Sequence, residues 1–320
     1  MEIFANIFVL SIGLVLLVFA ANWLIQGCVR FSRLLKLSPF FIGIVLVAFG
    51  TSVPEGSVGV MAALRGQSII SLGNVLGSNI ANIGLVIGLC ALLSPIHVAN
   101  KNIFKREMLL MLISVLLLFV LTLDLVISRF DGLILLLLFG IFCAVSYKGA
   151  REGYDEKELE GFELKRLLKN ANSKFSSLVI VISLAGVVLG ADLMLRGGIN
   201  LATIFGINPW LIAVTVFAVG TSLPELAASL VASAKKLHSI SVGNIVGSNV
   251  FNILFILGIV SLIRPIVLPA AVLKFELLAV FLFSLALLIV MKTAYKVTRT
   301  EGLFLFSSYI AFIVLLIMRA

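Results

Sequence analysis

Two carboxylates set the chemical problem in this chain. Glu55 and Glu225 each lie ten residues from the nearest basic residue of their apolar stretch, Arg65 and Lys235 respectively. At 1.5 Å per helical residue that is about 15 Å, half the thickness of a bilayer's hydrocarbon core. An ionised carboxylate at that depth costs at least ~2.5 kcal/mol, and far more in isolation. It needs a compensating charge, and neither stretch contains Lys or Arg. A buried, protonated acid is the simple alternative, but the same placement occurs twice, which favours a bound cation.

The neighbouring residues supply oxygen and nothing softer. In Gly50-Thr51-Ser52-Val53-Pro54-Glu55 and Gly220-Thr221-Ser222-Leu223-Pro224-Glu225, each proline removes one backbone donor and frees the carbonyl four residues earlier, at Gly50 and Gly220. Thr51 and Glu55 are four apart, as are Thr221 and Glu225, so hydroxyl and carboxylate share a helix face. Ser78 with Asn82, and Ser248 with Asn252, form a second such pair in the following segments. Hydroxyl, amide carbonyl, carboxylate and main-chain oxygen, without sulfur or imidazole, select a hard cation, calcium or sodium, over zinc or copper. Asn74, Asn79, Asn244 and Asn249 sit one or three positions off that face and are expected to point elsewhere, bonding between helices. The glycines at 73, 77, 84, 88, 243 and 247 are expected to allow close packing. Asp192 and Asn22 read as polar anchors near span ends, and His97 and His238 take no role.

The elements that must hold these groups are membrane spans. Of 320 residues, 61% are hydrophobic and 12% charged, with a mean hydropathy of +1.23, which excludes an ordinary soluble domain. Three cysteines exclude a disulfide scaffold. A net charge of +9 does not indicate nucleic acid, because the basic residues separate apolar runs instead of forming a patch. Apolar runs of about 20 residues predict an all-α membrane protein with ten transmembrane helices, near 3–27, 39–64, 69–94, 107–127, 131–147, 175–198, 209–234, 239–263, 272–291 and 302–318. The first run has Glu2 and no basic leader, so it reads as a span and not as a secretory signal. Eighteen of the 24 Lys and Arg fall in one alternate set of loops, and only Arg65, Arg129, Arg196, Arg264, Lys274 and Arg319 in the other. The richer set is therefore expected to be cytoplasmic and both termini extracytoplasmic. Residues 148–174, the only long polar connection, mix both charges and read as a linker, either a short charged helix or a flexible hinge.

Sliding the chain against itself finds one ungapped register at an offset of 170. It superposes Pro39 on Pro209, Gly50 to Glu55 on Gly220 to Glu225, Gly73-Asn74 on Gly243-Asn244, Gly77-Ser78-Asn79 on Gly247-Ser248-Asn249, and Pro95 on Pro265. The step from span two to span seven is odd, so equivalent segments cross in opposite directions. Residues 1–147 and 175–320 are thus expected to be inverted five-helix repeats. That architecture places a central site at the repeat interface, beside Gly/Pro-interrupted helices.

These paired motifs resemble the two alpha repeats of the sodium/calcium exchangers in the cation/calcium antiporter superfamily, most closely the compact prokaryotic members. The resemblance covers the whole ten-span layout. It implies a multi-pass plasma-membrane antiporter, not an enzyme, that exchanges Na⁺ for Ca²⁺ by alternating access. The implied ligands are Thr51, Ser52, Glu55, Ser78, Asn82, Thr221, Ser222, Glu225, Ser248 and Asn252, with main-chain oxygens of Ala48 and Ala218. Its partners would be inorganic cations and the lipid bilayer, with no nucleic acid and no obligatory protein partner, so that a monomer suffices. No cofactor is expected beyond the transported ions. Proton-coupled relatives usually read Gly-Asn before the acid, which argues against proton coupling, although a Ca²⁺/H⁺ or other cation/Ca²⁺ exchanger is the alternative. Many relatives carry Asp at the position of Asn252; Asn here leaves two central carboxylates and disfavours potassium co-transport. Two glutamates neutralise one Ca²⁺, and the resemblance implies three Na⁺ in exchange. A cation channel would need a continuous pore, and an intramembrane enzyme would need a motif such as HExxH or GxSxG, which is absent.

Overall fold

The computed structural model describes residues 2–97, 101–152, 154, 159, 162, 164, 166–169, 172–206 and 218–319. Long apolar runs become helices because a chain in hydrocarbon must satisfy its backbone groups internally. They are α1 Glu2–Leu35, α2 Pro39–Thr51, α3 Val53–Leu64, α4 Ser68–Leu93, α5 Lys101–Leu121 and α6 Arg129–Glu152, then the short α7 Arg166–Lys169. After these come α8 Ser173–Ile204, α9 Ala218–Thr221, α10 Leu223–Ala234, α11 His238–Ile263, α12 Ala270–Lys292 and α13 Arg299–Arg319. Among the described residues, seven helices are long and apolar enough to cross a membrane, and eight if α2 and α3 count as one bent span. The chain is thus an all-helical, multi-pass membrane protein. Pro209 and most of the first half of the predicted seventh span lie outside the described residues.

Several helices outrun the apolar runs that announce them. α1 continues to Leu35, and α5 is already helical at Lys101, because polar ends extend past the hydrocarbon without breaking the helical hydrogen bonds. Glu107, at the start of the predicted fourth span, is buried, where it pairs with Arg106 at 2.7 Å and accepts from Ser146 of α6 at 2.8 Å.

Backbone geometry repeats at the offset seen in the sequence. The residues with positive φ form three pairs 170 apart: Lys36 with Gly206, Gly66 with Lys236, and Leu125 with Tyr295. Two short antiparallel pairs also exchange into one another. β1 (Ile96–His97) joins β4 (Lys296–Val297) and β2 (Val126–Ile127) joins β3 (Ile266–Val267), with Ile96 opposite Val297 and Ile127 opposite Ile266. An exchange that maps contact i–j onto j–i is the signature of a two-fold relation.

α4 and α11 lie at the centre, with 78% and 83% of their most apolar windows buried, against 17–28% for α1, α6, α8, α12 and α13. Side chains such as Phe4, Phe8, Phe130, Leu137 and Phe304 stand exposed on those outer helices, which suits solvation by lipid tails. α1 and α8 pack against each other through glycine. A Cβ on Gly13 would lie 2.6 Å from the Met194 nitrogen, and one on Gly190 2.6 Å from that of Leu17.

Candidate cation site

The site is built where two helices break and two others cross. Ser52 and Ser222 interrupt their helices with nearly identical torsions (φ −86°, ψ 9° and φ −87°, ψ 4°), and α2 meets α3 at 46°. Pro54 and Pro224 stand in the first turns of the helices that follow these breaks, where a proline fits without losing a needed donor. Glu55 and Glu225 thereby fall in the first turns of α3 and α10, where the helix dipole favours negative charge. α11 comes close enough to α2 that a Cβ on Gly243 would sit 2.3 Å from the Phe40 carbonyl oxygen. In α4 and α11 the helix widens into π-helical turns at Asn82–Ile87 and Phe251–Ile256, so both asparagines named as ligands stand on irregular turns of the kind frequent at functional sites.

The side chains of both halves meet there. Ser52 Oγ donates to Glu225 Oε1 at 2.7 Å and lies 3.0 Å from Ser248 Oγ, which is itself 3.4 Å from that carboxylate oxygen. Ser78 and Thr221 hydroxyls are 3.4 Å apart. Thr51 reaches Asn244 Oδ1 at 3.2 Å and, symmetrically, Thr221 reaches Asn74 Oδ1 at 3.4 Å. Asn82 and Asn252 donate at 3.0 Å to Asn249 and Asn79. The Ala48 carbonyl is already engaged by the Ser52 amide at 3.0 Å and the Thr51 hydroxyl at 3.3 Å. The Ala218 backbone is helical, within α9. Asn74, Asn79, Asn244 and Asn249 bond between helices, as expected for residues off the ligand face. Asp192 pairs with Arg196 one turn on, in an exposed position, and Asn22 accepts from Lys235.

What is left unpaired defines the chemistry. Glu55, Glu225, Ser222, Asn82 and Asn252 are all buried. Among the described residues, both carboxylate oxygens of Glu55, Oε2 of Glu225, Oδ1 of Asn82, Oδ1 of Asn252 and Oγ of Ser222 make no well-formed hydrogen bond, and the Ser78 hydroxyl is the neighbour of Glu55. Burying such groups unpaired costs roughly 1–3 kcal/mol each, and more for charges. Five of these six oxygens are pure acceptors, and the sixth is a hydroxyl whose lone pairs are free. Among the described residues no group of three or more His, Cys, Asp or Glu forms a metal cluster, so formal charge at the site comes from the two glutamates alone. A cation fits this donor set.

Known proteins fall into line with that geometry. The family described as Sodium/calcium exchanger protein matches residues 5–148 and again 175–318, two segments separated by the same 170 residues. The chain belongs to this family. It is 32% identical to Sodium/calcium exchanger MaX1 of Methanosarcina acetivorans, over 97% of this chain and 98% of that one. It is 35% identical to Inner membrane protein YrbG of Escherichia coli, over 80% and 79%. A solved structure of the sodium-calcium exchanger NCX_Mj superposes with a TM-score of 0.84 at 32% identity, covering 98% of this chain and 99% of that one. The family is one of exchangers, not of enzymes.

Among the described residues, a cavity reaches the site beside Ser52. A cavity of about 510 Å³ runs from Ser52 along Val53, Gly56, Ser57, Val60 and Met61, facing Phe251, Phe255, Ile256 and Ile259. It lies toward the ends of α3 and α11 that lead to Arg65 and Arg264, the loops poor in basic residues. The equivalent positions on the other side are closed: Val53 is 52% exposed and its counterpart Leu223 9%. Ser57 is exposed and its counterpart Ala227 buried.

Proposed function

We propose that this exchanger moves Ca²⁺ in one direction and Na⁺ in the other by alternating access to the site described above. The observation that carries the reading is the buried set of six unpartnered oxygens, since calcium takes six to eight oxygen ligands and sodium shares that hard-oxygen preference. The ligands are Thr51, Ser52, Glu55, Ser78 and Asn82, with Thr221, Ser222, Glu225, Ser248 and Asn252, and main-chain oxygens of Ala48 and Ala218. Ten spans form two inverted halves, residues 1–147 and 175–320, joined through a cytoplasmic linker at 148–174. The three repeated positive-φ pairs and the exchanged strand pairs support this arrangement.

Two ionised glutamates neutralise one Ca²⁺. With three Na⁺ on the return step, as the family resemblance implies, one net charge moves per cycle. A unit charge is worth about 2.3 kcal/mol per 100 mV, so an inside-negative potential favours sodium entry and calcium extrusion. Coupling follows from electrostatics: with no cation bound, two uncompensated carboxylates oppose enclosure in a dry, low-dielectric site. Sodium is favoured over protons as counter-ion by Gly-Thr-Ser before each acid, and by the names of MaX1 and NCX_Mj. The protein sits in the plasma membrane, in keeping with the name of its Escherichia coli relative, with both termini extracytoplasmic by the distribution of Lys and Arg. A single chain suffices, since it supplies both halves of the site.

Calcium uptake into sodium-loaded proteoliposomes tests the reading, with lithium, potassium and proton gradients as controls. Uptake should follow the outward sodium gradient and carry charge. Uptake driven equally by a proton gradient would move the assignment to Ca²⁺/H⁺ exchange, and flux without any counter-ion would make the protein a channel.

A further inference from the structure

The cation site presents Asn82 and Asn252 by their carbonyl oxygens, yet an asparagine amide has a donor end that is repulsive to a cation and nearly the same shape. Something must decide which end faces the ion. Asn82 Nδ2 donates to Asn249 Oδ1 at 3.0 Å, and Asn252 Nδ2 donates to Asn79 Oδ1 at 3.0 Å. Asn79 and Asn249 are themselves held in orientation across the two-fold relation. Asn79 Nδ2 lies 3.3 Å from the Asn249 carbonyl, and Asn249 Nδ2 lies 3.4 Å from that of Asn79. All four residues are buried. Every bond in the set has its exchange partner 170 residues away, and the only amide oxygens left over are Asn82 Oδ1 and Asn252 Oδ1.

The geometry assigns Asn79 and Asn249 as positioning residues: they clamp the amides of Asn82 and Asn252 so that both turn oxygen toward the cation. The assignment rests on the proposed ion site and adds to it how two neutral ligands are oriented. Rotating the Asn82 amide by half a turn would bring its oxygen against Asn249 Oδ1, two acceptors with no hydrogen between them. Asn249 cannot turn to accommodate it without losing its own bond to the Asn79 carbonyl. The same holds for Asn252 and Asn79. The clamp therefore works through mutual exclusion of wrong orientations, and each amide is ordered before the ion arrives. In its absence a calcium ion would have to bind the minor, oxygen-facing population, which weakens apparent affinity by that fraction.

The test uses the fact that a carboxylate has no donor end and presents oxygen whichever way it rotates. Removing the clamp should harm an asparagine ligand and spare an aspartate in the same place. In proteoliposomes of the full chain, Asn79→Leu should raise the calcium half-saturation concentration about tenfold, with the maximal rate changed by less than about twofold. Adding Asn79→Leu to Asn252→Asp should leave the half-saturation of Asn252→Asp within about twofold or lower it, since Asn79 Oδ1 there faces a carboxylate oxygen with no hydrogen between them. If Asn79→Leu shifts the half-saturation by the same factor in both backgrounds, or not at all, the clamp is refuted and the residue only fills space. Where one of these chains does not fold or transport, the symmetry-related cycle of Asn249→Leu with Asn82→Asp carries the same expectation and the same refutation. A Glu225→Gln control separates the two levels of inference. Calcium transport persisting in it overturns the ion site itself, whereas loss of transport there beside additive cycles overturns the clamp alone.

Discussion

Glu55 and Glu225 occupy equivalent positions in the two halves, yet they are held differently. Glu225 accepts from Ser52 at 2.7 Å and from Ser248 at 3.4 Å through one oxygen, while Glu55 has the counterpart of Ser248, Ser78, beside it but no well-formed hydrogen bond among the described residues. The bond from Ser222 to Glu55 that symmetry would require is missing, and Ser222 Oγ is itself unpartnered. The asparagine contacts around them obey the two-fold relation closely: Asn82 with Asn249 matches Asn252 with Asn79, and Thr51 with Asn244 matches Thr221 with Asn74. The frame is symmetric and the carboxylate layer is not. The broken symmetry goes with the one-sided cavity, which reaches Ser52 and not Ser222. A site that can open to either side is expected to exchange these two arrangements, with Ser222 holding Glu55 when the other side opens.

Serine substitutions should pull that comparison apart most strongly. Ser52→Ala removes a hydrogen bond to a carboxylate, worth about 1.5–3 kcal/mol, from the arrangement described here alone. In calcium-free protein it should move the population toward the opposite-facing state by roughly ten- to hundredfold. Ser222→Ala should move it the other way. Both are read from the reactivity of a cysteine placed at Ser57, in a chain whose three native cysteines are replaced. Shifts of the same sign in the two variants would show that the serines do not distinguish the states.

A smaller contrast should appear without any change to the site. Ser57→Cys, in the open cavity, should react with a water-soluble thiol reagent at least ~10-fold faster than Ala227→Cys at the closed counterpart. Equal rates would remove the basis for a one-sided state. Smaller still is the effect on the frame. Gly243→Ala puts a methyl against the Phe40 carbonyl, and overpacking of this kind costs about 1–3 kcal/mol. Thermal unfolding should fall by a few degrees, and an unchanged midpoint would mean that α2 and α11 separate freely.

Much of this site is legible in one dimension. The offset of 170 matched each residue to its counterpart, because internal repetition is a local signal, whereas the spacing of four that set Thr51 and Glu55 on one helix face is interrupted by the break at Ser52. Asn79 and Asn249 were expected to bond between helices, and they do. Their partners could not be read, since each bonds to the opposite half at a crossing that exists only once α4 and α11 pack. The pairing of Ser52 with Glu225 was equally hidden: it depends on which side of the protein is open, which no spacing encodes. The burial of Glu107, at the edge of an apolar run, was not legible either. Its partner Ser146 is 39 residues away on another helix.

Whether Glu55 and Glu225 hold calcium between them is read from equilibrium calcium binding to purified protein, followed by calorimetry. One Ca²⁺ per chain should bind and be displaced by sodium, and Glu55→Gln with Glu225→Gln together should abolish the heat of binding while the protein remains folded. Calcium bound with unchanged affinity by the doubly substituted chain would contradict the claim.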